Sequence, residues 1–387
     1  MLQPTLERSL MSAFLSWIAT LPSLAQIPLV LLAFFAVIAL LIFFIEIAPR
    51  SGRKYTIIRA AACVLFPALI FLALGSVLWA AAAAAVFGGL FFLLDYRSKQ
   101  GAGYLFQLVG FMSPAVFLLA IGLIYPTIQT TIQAFMNSRG TRFVGLENFI
   151  WIFTQDTGIR TVLNTVVWVL IVPTVSTIFG LAYAVFIDKS RGEKIFKILV
   201  FMPMAISFVG ASIIWRFVYA VRPEGQEQIG LLNQIVVWMG GQPVDWISNS
   251  PWNTFFLIVV LIWIQTGFAM VILSAAIKGV PAEQLEAAEL DGTNAWQRFI
   301  NVTVPGIRSS LVVVLTTISI ASLKVFDIVR TMTAGANETS VIANEMYSQW
   351  QGFEVGRSAA FAVVLFVMVL PIVVYNARQI AKQREIR

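Results

Sequence analysis

PAEQLEAAELDGTNAWQRFINVTVP, residues 281–305, is a polar island between two long apolar runs at 254–276 and 309–328. A helix needs about 20 apolar residues to cross a bilayer. Each flanking run meets that length, so the island reads as an extramembrane loop between two spans. Pro281 suits the first turn of a helix, where a missing N–H does no harm. Glu283 and Glu286 follow near the end where the helix dipole favours acids, and Leu285, Ala288 and Glu289 continue the helical run. Gly292 stands where a left-handed residue would end it. Thr293 is placed to cap a second helix, running through Trp296 and Phe299 to about Val302. Pro305 then sets the entry to the next span. The pattern predicts helix, glycine turn, helix. It fits a hairpin that only joins two spans. It equally fits a docking element, in which Ala287 and Ala288 admit a close partner surface and Glu286 pairs with a partner's basic group. In that second reading Trp296, Phe299 and Ile300 anchor the second helix to the membrane core.

Working outward, the whole chain has the composition of a polytopic membrane protein. Of its 387 residues 59% are hydrophobic and 12% charged, and the mean hydropathy is +0.86. No soluble domain hides that much apolar surface. The expected architecture is all-α, with about nine transmembrane helices at 27–47, 57–74, 76–94, 105–129, 161–187, 197–219, 254–276, 309–328 and 357–377. The second and third are nearly continuous, so 57–94 is either a tight hairpin at Gly75-Ser76 or a region that crosses fewer times. Residues 8–24 read as a short amphipathic segment at the interface, with Trp17 at headgroup depth. The first apolar run is longer than a signal-peptide core and no small-residue cleavage pattern follows it, so a cleaved leader is not expected.

Charge orients the spans. The net charge of +7 does not signal nucleic acid, because most of the 26 basic residues sit in short loops and the tail on one side. These include Arg50, Arg53, Lys54, Arg59, Arg97, Lys99, Lys189, Arg191, Lys194, Lys197, Lys278, Arg298, Arg308, and Arg378 through Arg387 in the tail. The excess of positive charge on cytoplasmic loops places this side in the cytoplasm. The C-terminus is then cytoplasmic and the N-terminus extracytoplasmic, and the loop at 220–253, with Glu224, Glu227 and Asp245, lies outside. The chain divides near residue 100. Residues 1–100 form an accessory membrane region of about three helices, and 101–387 form a six-helix core.

Several chemistries are excluded. The chain has no histidine, and its one cysteine, Cys63, supports neither a disulfide framework nor a metal cluster. No G-x-x-x-x-G-K-[ST] phosphate loop occurs, so this chain is not an ATPase by that route. No catalytic residues and no metal ligands are expected.

The residues Glu286-Ala287-Ala288, Asp291-Gly292, Phe299 and Val304-Pro305 resemble the EAA loop of inner-membrane permeases of binding-protein-dependent ABC importers. Val302 and Val304 stand where that family usually has isoleucine and leucine. FLLAIGLIYPTIQTTIQAF (117–135), FVGLENF (143–149), and the runs 164–187 and 196–219 resemble the core of the sugar-importer branch. KVFDIVRTMTAG (324–335) and VIANEMYSQ (341–349) are most similar to permeases for maltose and other α-glucosides. The large periplasmic insert of the maltose type is absent. The resemblance implies a coupling loop at 278–306, with Glu286, Ala287, Ala288, Asp291, Gly292 and Pro305 gripped by an ATPase. It also implies a second permease subunit, two ATPase subunits docking at 281–305, and an extracytoplasmic substrate-binding protein. ATP and magnesium belong to the ATPases, and this chain binds no cofactor. The expected setting is a bacterial or archaeal inner membrane.

Polar groups inside spans often mark a pathway. Candidates are Asn164, Ser207, Ser212, Gln265, Thr266, Ser319, Ser322 and Lys324. Gln265 and Phe268 share a helix face, and an amide beside an aromatic ring suits the hydroxyls and C–H faces of a sugar. By the resemblance, Ile264, Gln265, Phe268 and Ser322 fall at or beside sugar-lining positions. Alternatively, Gln265 and Ser322 only hydrogen-bond between helices, and the hydroxyls bond their own backbone. Lys324 and Asp327, three apart, read as a local ion pair near the end of a span. The implied cargo is an oligosaccharide, an α-glucoside such as maltose, trehalose or a related glucoside. Glycerol-3-phosphate or another sugar is the alternative within the family. The alternative of another class is an ion-coupled secondary transporter, which calls for deep ionisable groups and internal repeats; neither stands out.

Overall fold

A computed structural model of the chain describes residues 119–187 and 190–385, together with the single positions 57, 112 and 116. The spans expected at 27–47, 57–74 and 76–94, the segment at 8–24 and the first part of 105–129 lie outside the described residues. The backbone falls into two compact units, Met1–Tyr125 and Pro126–Arg387.

Every regular element among the described residues is helical. After a π turn at Ala120–Ile124 come α1 (Tyr125–Gln133), α2 (Glu147–Thr154), α3 (Asp156–Ile187), α4 (Glu193–Phe201), α5 (Phe208–Val218) and α6 (Leu231–Trp238). They are followed by α7 (Trp252–Lys278), α8 (Ala282–Leu290), α9 (Ala295–Arg298), α10 (Arg308–Leu323), α11 (Asp327–Met332), α12 (Ile342–Gln351) and α13 (Val355–Glu385). Three helices, α3, α7 and the stretch Val355–Arg378 of α13, are long and apolar enough to cross a membrane. Two bent helical runs raise the number to as many as 5 among the described residues.

The bends are where a simple reading of apolar length departs from the structure. The span expected at 197–219 is two helical pieces, Glu193–Ala205 and Phe208–Val218, set at 102°. The cause is local. Pro203 opens a 3-10 turn at Met202–Ala205, Ile206 is extended, and the Ser207 hydroxyl caps α5 by accepting the Gly210 N–H. Ser207 is thus a helix cap, because its side chain serves the free N–H groups of a new helix start. The span expected at 309–328 stops at Leu323, and Asp327 opens α11. Lys324 and Asp327 therefore do not share a helix face and do not pair. Asp327 takes the first turn of α11 instead, where an acid meets the helix dipole.

The main core joins α3, α7 and α10. Thr161, Thr165, Trp168, Val172, Ser176, Gly180 and Ala184 recur every three or four residues as the buried seam of α3. At Gly180 an added Cβ would stand 2.5 Å from Ala269 Cβ and 2.8 Å from the Met270 nitrogen. At Gly267 it would stand 2.5 Å from the Val200 carbonyl oxygen, so α7 is pressed against α4 as well as α3. In lipid, where no hydrophobic force drives helices together, small residues gain stability by close backbone contact. A second cluster, with Ala134, Ile152, Ile342, Ala360 and Phe361 buried, joins α2, α12 and α13.

At the end of α3 and α7 remote from residues 281–305, the loop 333–340 is stitched to both helices. Ala334, Asn337 and Glu338 all have positive φ. The Glu338 carboxylate accepts from the Arg160 guanidinium and, at 2.7 Å, from the Ser250 hydroxyl. Asn164 donates to the backbone oxygens of Glu338 and Ser340, and Asn253 to that of Asn337. These bonds hold an otherwise unfavourable backbone in place.

Candidate functional site

The 281–305 segment is a structured hairpin. Pro281 is the residue just before α8, and Asp291 ends that helix. Gly292 has φ +79 with open space around it, so the turn needs glycine for its backbone. Thr293 does not cap the second helix. Its hydroxyl donates back to the Ala288 carbonyl at 2.5 Å, and its N–H donates to the same oxygen at 3.2 Å. Asn294 is the cap. Its side-chain oxygen accepts the Gln297 N–H at 2.8 Å while the Gln297 side chain accepts the Asn294 N–H at 2.9 Å. Asparagine three residues before glutamine is a legible capping box, and it outcompetes the neighbouring threonine. Across the turn Arg298 pairs with Glu289 at 2.8 Å. At the base a Cβ on Gly306 would lie 3.2 Å from Val280, so the two strands of chain entering and leaving the loop touch.

The faces of α8 are sorted. Leu285 packs on the main core and Ala288 is buried, whereas Glu286, Ala287 and Leu290 are exposed. Past α9 the chain widens into a π turn at Phe299–Thr303, just before Pro305 in the short helical turn Val304–Gly306. That extra residue per turn rotates the side chains that follow. Trp296 and Ile300 do not pack on the chain's own core. Trp296 is 68% exposed and rests on Phe299, while Val302 and Ile307 make the inward contacts. Glu286, Ala287, Leu290 and Trp296 are among the exposed residues of this hairpin.

The base of the hairpin carries an ionic cluster. Glu193, in the charged turn ahead of the apolar run, accepts from Lys197 at 2.7 Å and from Lys278 at 2.6 Å. These two hydrogen bonds, that of Lys197 first, hold the carboxyl well below the usual range, at about 2.

The intramembrane candidates separate cleanly. Ser212, Thr266, Ser319 and Ser322 each donate to the carbonyl four residues earlier. Asn164 and Ser207 serve the loop and cap described above. Gln265 is the one amide or hydroxyl of that set with no hydrogen bond among the described residues. Gln265 and Phe268 are both half-buried in α7, Phe268 packing against the main core, whereas Ile264 and Ser322 are buried. No group of three or more metal-ligating side chains occurs among the described residues.

With this geometry in hand, the sequence matches the family described as "Binding-protein-dependent transport system inner membrane component" over residues 176–387, more than half of the chain. It is 48% identical over 276 residues to the alpha-glucoside transport system permease protein AglF of Rhizobium meliloti, covering 70% of this chain and 82% of the relative. It is 47% identical over 278 residues to the osmoprotective compounds uptake permease protein GgtC of Synechocystis, covering 72% and 100%. Its fold is similar to that of a crystal structure of a bacterial ABC transporter involved in the import of the acidic polysaccharide alginate. The TM-score is 0.63 at 22% identity, over 73% of this chain and 97% of the other.

Proposed function

The chain belongs to the inner-membrane components of binding-protein-dependent transport systems, non-catalytic permease subunits of ABC importers, and from that membership we propose that it translocates an α-glucoside. The naming of AglF supports the sugar class, and that of GgtC widens it toward small osmoprotective compounds. Glycerol-3-phosphate or another sugar remains the competing cargo.

The observation that carries the mechanism is the hairpin at 281–305, rigid in its turn, caps and base yet outward-facing at Glu286, Ala287 and Leu290. Two ATPase subunits, holding ATP and magnesium, engage this hairpin and that of a second permease subunit. Their closure moves α8, and the contact of Val280 with Gly306 passes the motion to α7 and α10. A solute delivered by an extracytoplasmic binding protein then meets the free amide of Gln265 and the ring of Phe268. Amides hydrogen-bond sugar hydroxyls, and aromatic faces receive sugar C–H groups. Residues 101–387 are the core of this machine and 1–100 an accessory membrane region, with the C-terminus cytoplasmic and the N-terminus outside.

Two measurements test the reading. Glu286→Lys should abolish co-purification of the ATPase or coupled transport, while the chain still inserts and assembles with its partner permease. Transport by the purified chain alone, driven by an ion gradient without ATP, would instead establish a secondary transporter. The partner binding protein should be screened against α-linked disaccharides and glycerol conjugates; binding of neither class would remove the α-glucoside assignment.

A further inference from the structure

The loop between α5 and α7 contains a helix whose free face has no partner in the chain. Leu231, Ile235 and Trp238 of α6, with Met239 just past its end, fall at i, i+4, i+7 and i+8, one face of a helix. All four are exposed, Trp238 at 75% and Met239 at 76%. The other face is fixed. Leu232 packs on the main core, and Asn233 is 0% exposed. The Asn233 amide donates to the Ala220 and Val244 carbonyls, and its oxygen accepts from the Val244 N–H and the Trp246 indole. The helix is thus held with its apolar side outward.

The charge pattern identifies what covers that side. From 228 to 244 there is no charged residue, and Arg222, Glu224, Glu227 and Asp245 flank the run. A helix facing water carries charge on its free face, and the free face of α6 carries none. Its neighbours in the chain are span ends with exposed apolar side chains, Phe217 at the end of α5 (67%) and Trp252 at the start of α7 (66%). Both span ends that flank the loop thus carry exposed apolar side chains, as α6 does. Tryptophan is favoured at the depth of lipid headgroups. We propose that the Leu231–Trp238 face lies in the bilayer interface, with lipid as its partner, at the end of the spans opposite residues 281–305. Such a foot sets the depth at which α5 ends and α7 begins.

The test uses the assembled transporter in lipid nanodiscs, in a background carrying Cys63→Ser. Nitroxide labels are placed at Leu231→Cys and Trp238→Cys, with Glu224→Cys as the water-exposed reference. Both test positions are exposed, so substitution leaves the packing of α6 intact. The expected result is a ratio of oxygen to nickel-chelate collisions several-fold higher at 231 and 238 than at 224. Nickel access equal to that at 224 would overturn the proposal in favour of a water-facing helix. Protection from both relaxants would overturn it in favour of a covering protein subunit.

Discussion

Glu193 and Lys278 meet at 2.6 Å, joining the first residue of α4 to the last residue of α7 three positions before the hairpin begins. Lys197 completes the cluster from the next turn of α4. The contact ties the bent run α4–α5 to the helix that carries Gln265. Glu193→Gln should therefore lower the thermal midpoint of the purified complex, and the effect should depend on pH. The folded carboxyl is held at about 2 against an ordinary 4.5. A depressed carboxyl stabilises fully above its ordinary value and loses that contribution as pH falls toward the folded one. The gap in midpoint between the native chain and the variant should be widest at neutral pH and close as the pH drops below 4.5. A gap unchanged by pH would show that the charge is not responsible.

Gly180→Val should destabilise the bundle by overpacking. The new side chain would enter a space where even a Cβ stands 2.5 Å from Ala269. Forcing extra methylenes into a packed site costs about 1–3 kcal/mol, readable by thermal unfolding. Ala269→Gly in the same chain should recover part of the loss, because it vacates the atom in the way.

Gly292→Val should damage the hairpin through the backbone alone. Nothing lies within 4 Å of its added Cβ, but φ is +79. A left-handed L-residue costs roughly 1–2 kcal/mol, and asparagine tolerates it best. Gly292→Asn should therefore retain ATPase-coupled transport where Gly292→Val loses it.

Asn253→Ala should release the loop at 333–340. Asn253 is fully buried and its amide donates to Asn337 at 2.7 Å. Asn337 is itself exposed and the bond only part-buried, so its loss costs about 0.5–1.5 kcal/mol. Limited proteolysis of the intact complex should show faster cleavage within 333–340 in the variant.

The hairpin was the most legible part of the site. Helix, glycine and second helix follow from proline, charge order and a left-handed position, all signals carried by neighbouring residues. Its finer assignment turned on competition between Thr293 and Asn294, which the position of Gln297 resolves. Periodicity counting does not say what an apolar face meets: Trp296 and Ile300 are exposed on this chain, while Val302 and Ile307 pack on its core. Within the membrane, side-chain polarity marked eight residues, and hydrogen bonding separates Gln265 from the other amides and hydroxyls among them.

Composition and local pattern alone determined that this chain lives in a membrane and carries a built polar hairpin between two spans. Those properties depend on residue type and on contacts a few positions apart. Tertiary structure decided which groups are free. Arg160 meets Glu338 across 178 positions, Asn164 is taken up by the same loop, and Gly180 sits where Ala269 excludes a side chain. Each depends on the distance between helices far apart in sequence. One sequence without its packing holds no record of those distances.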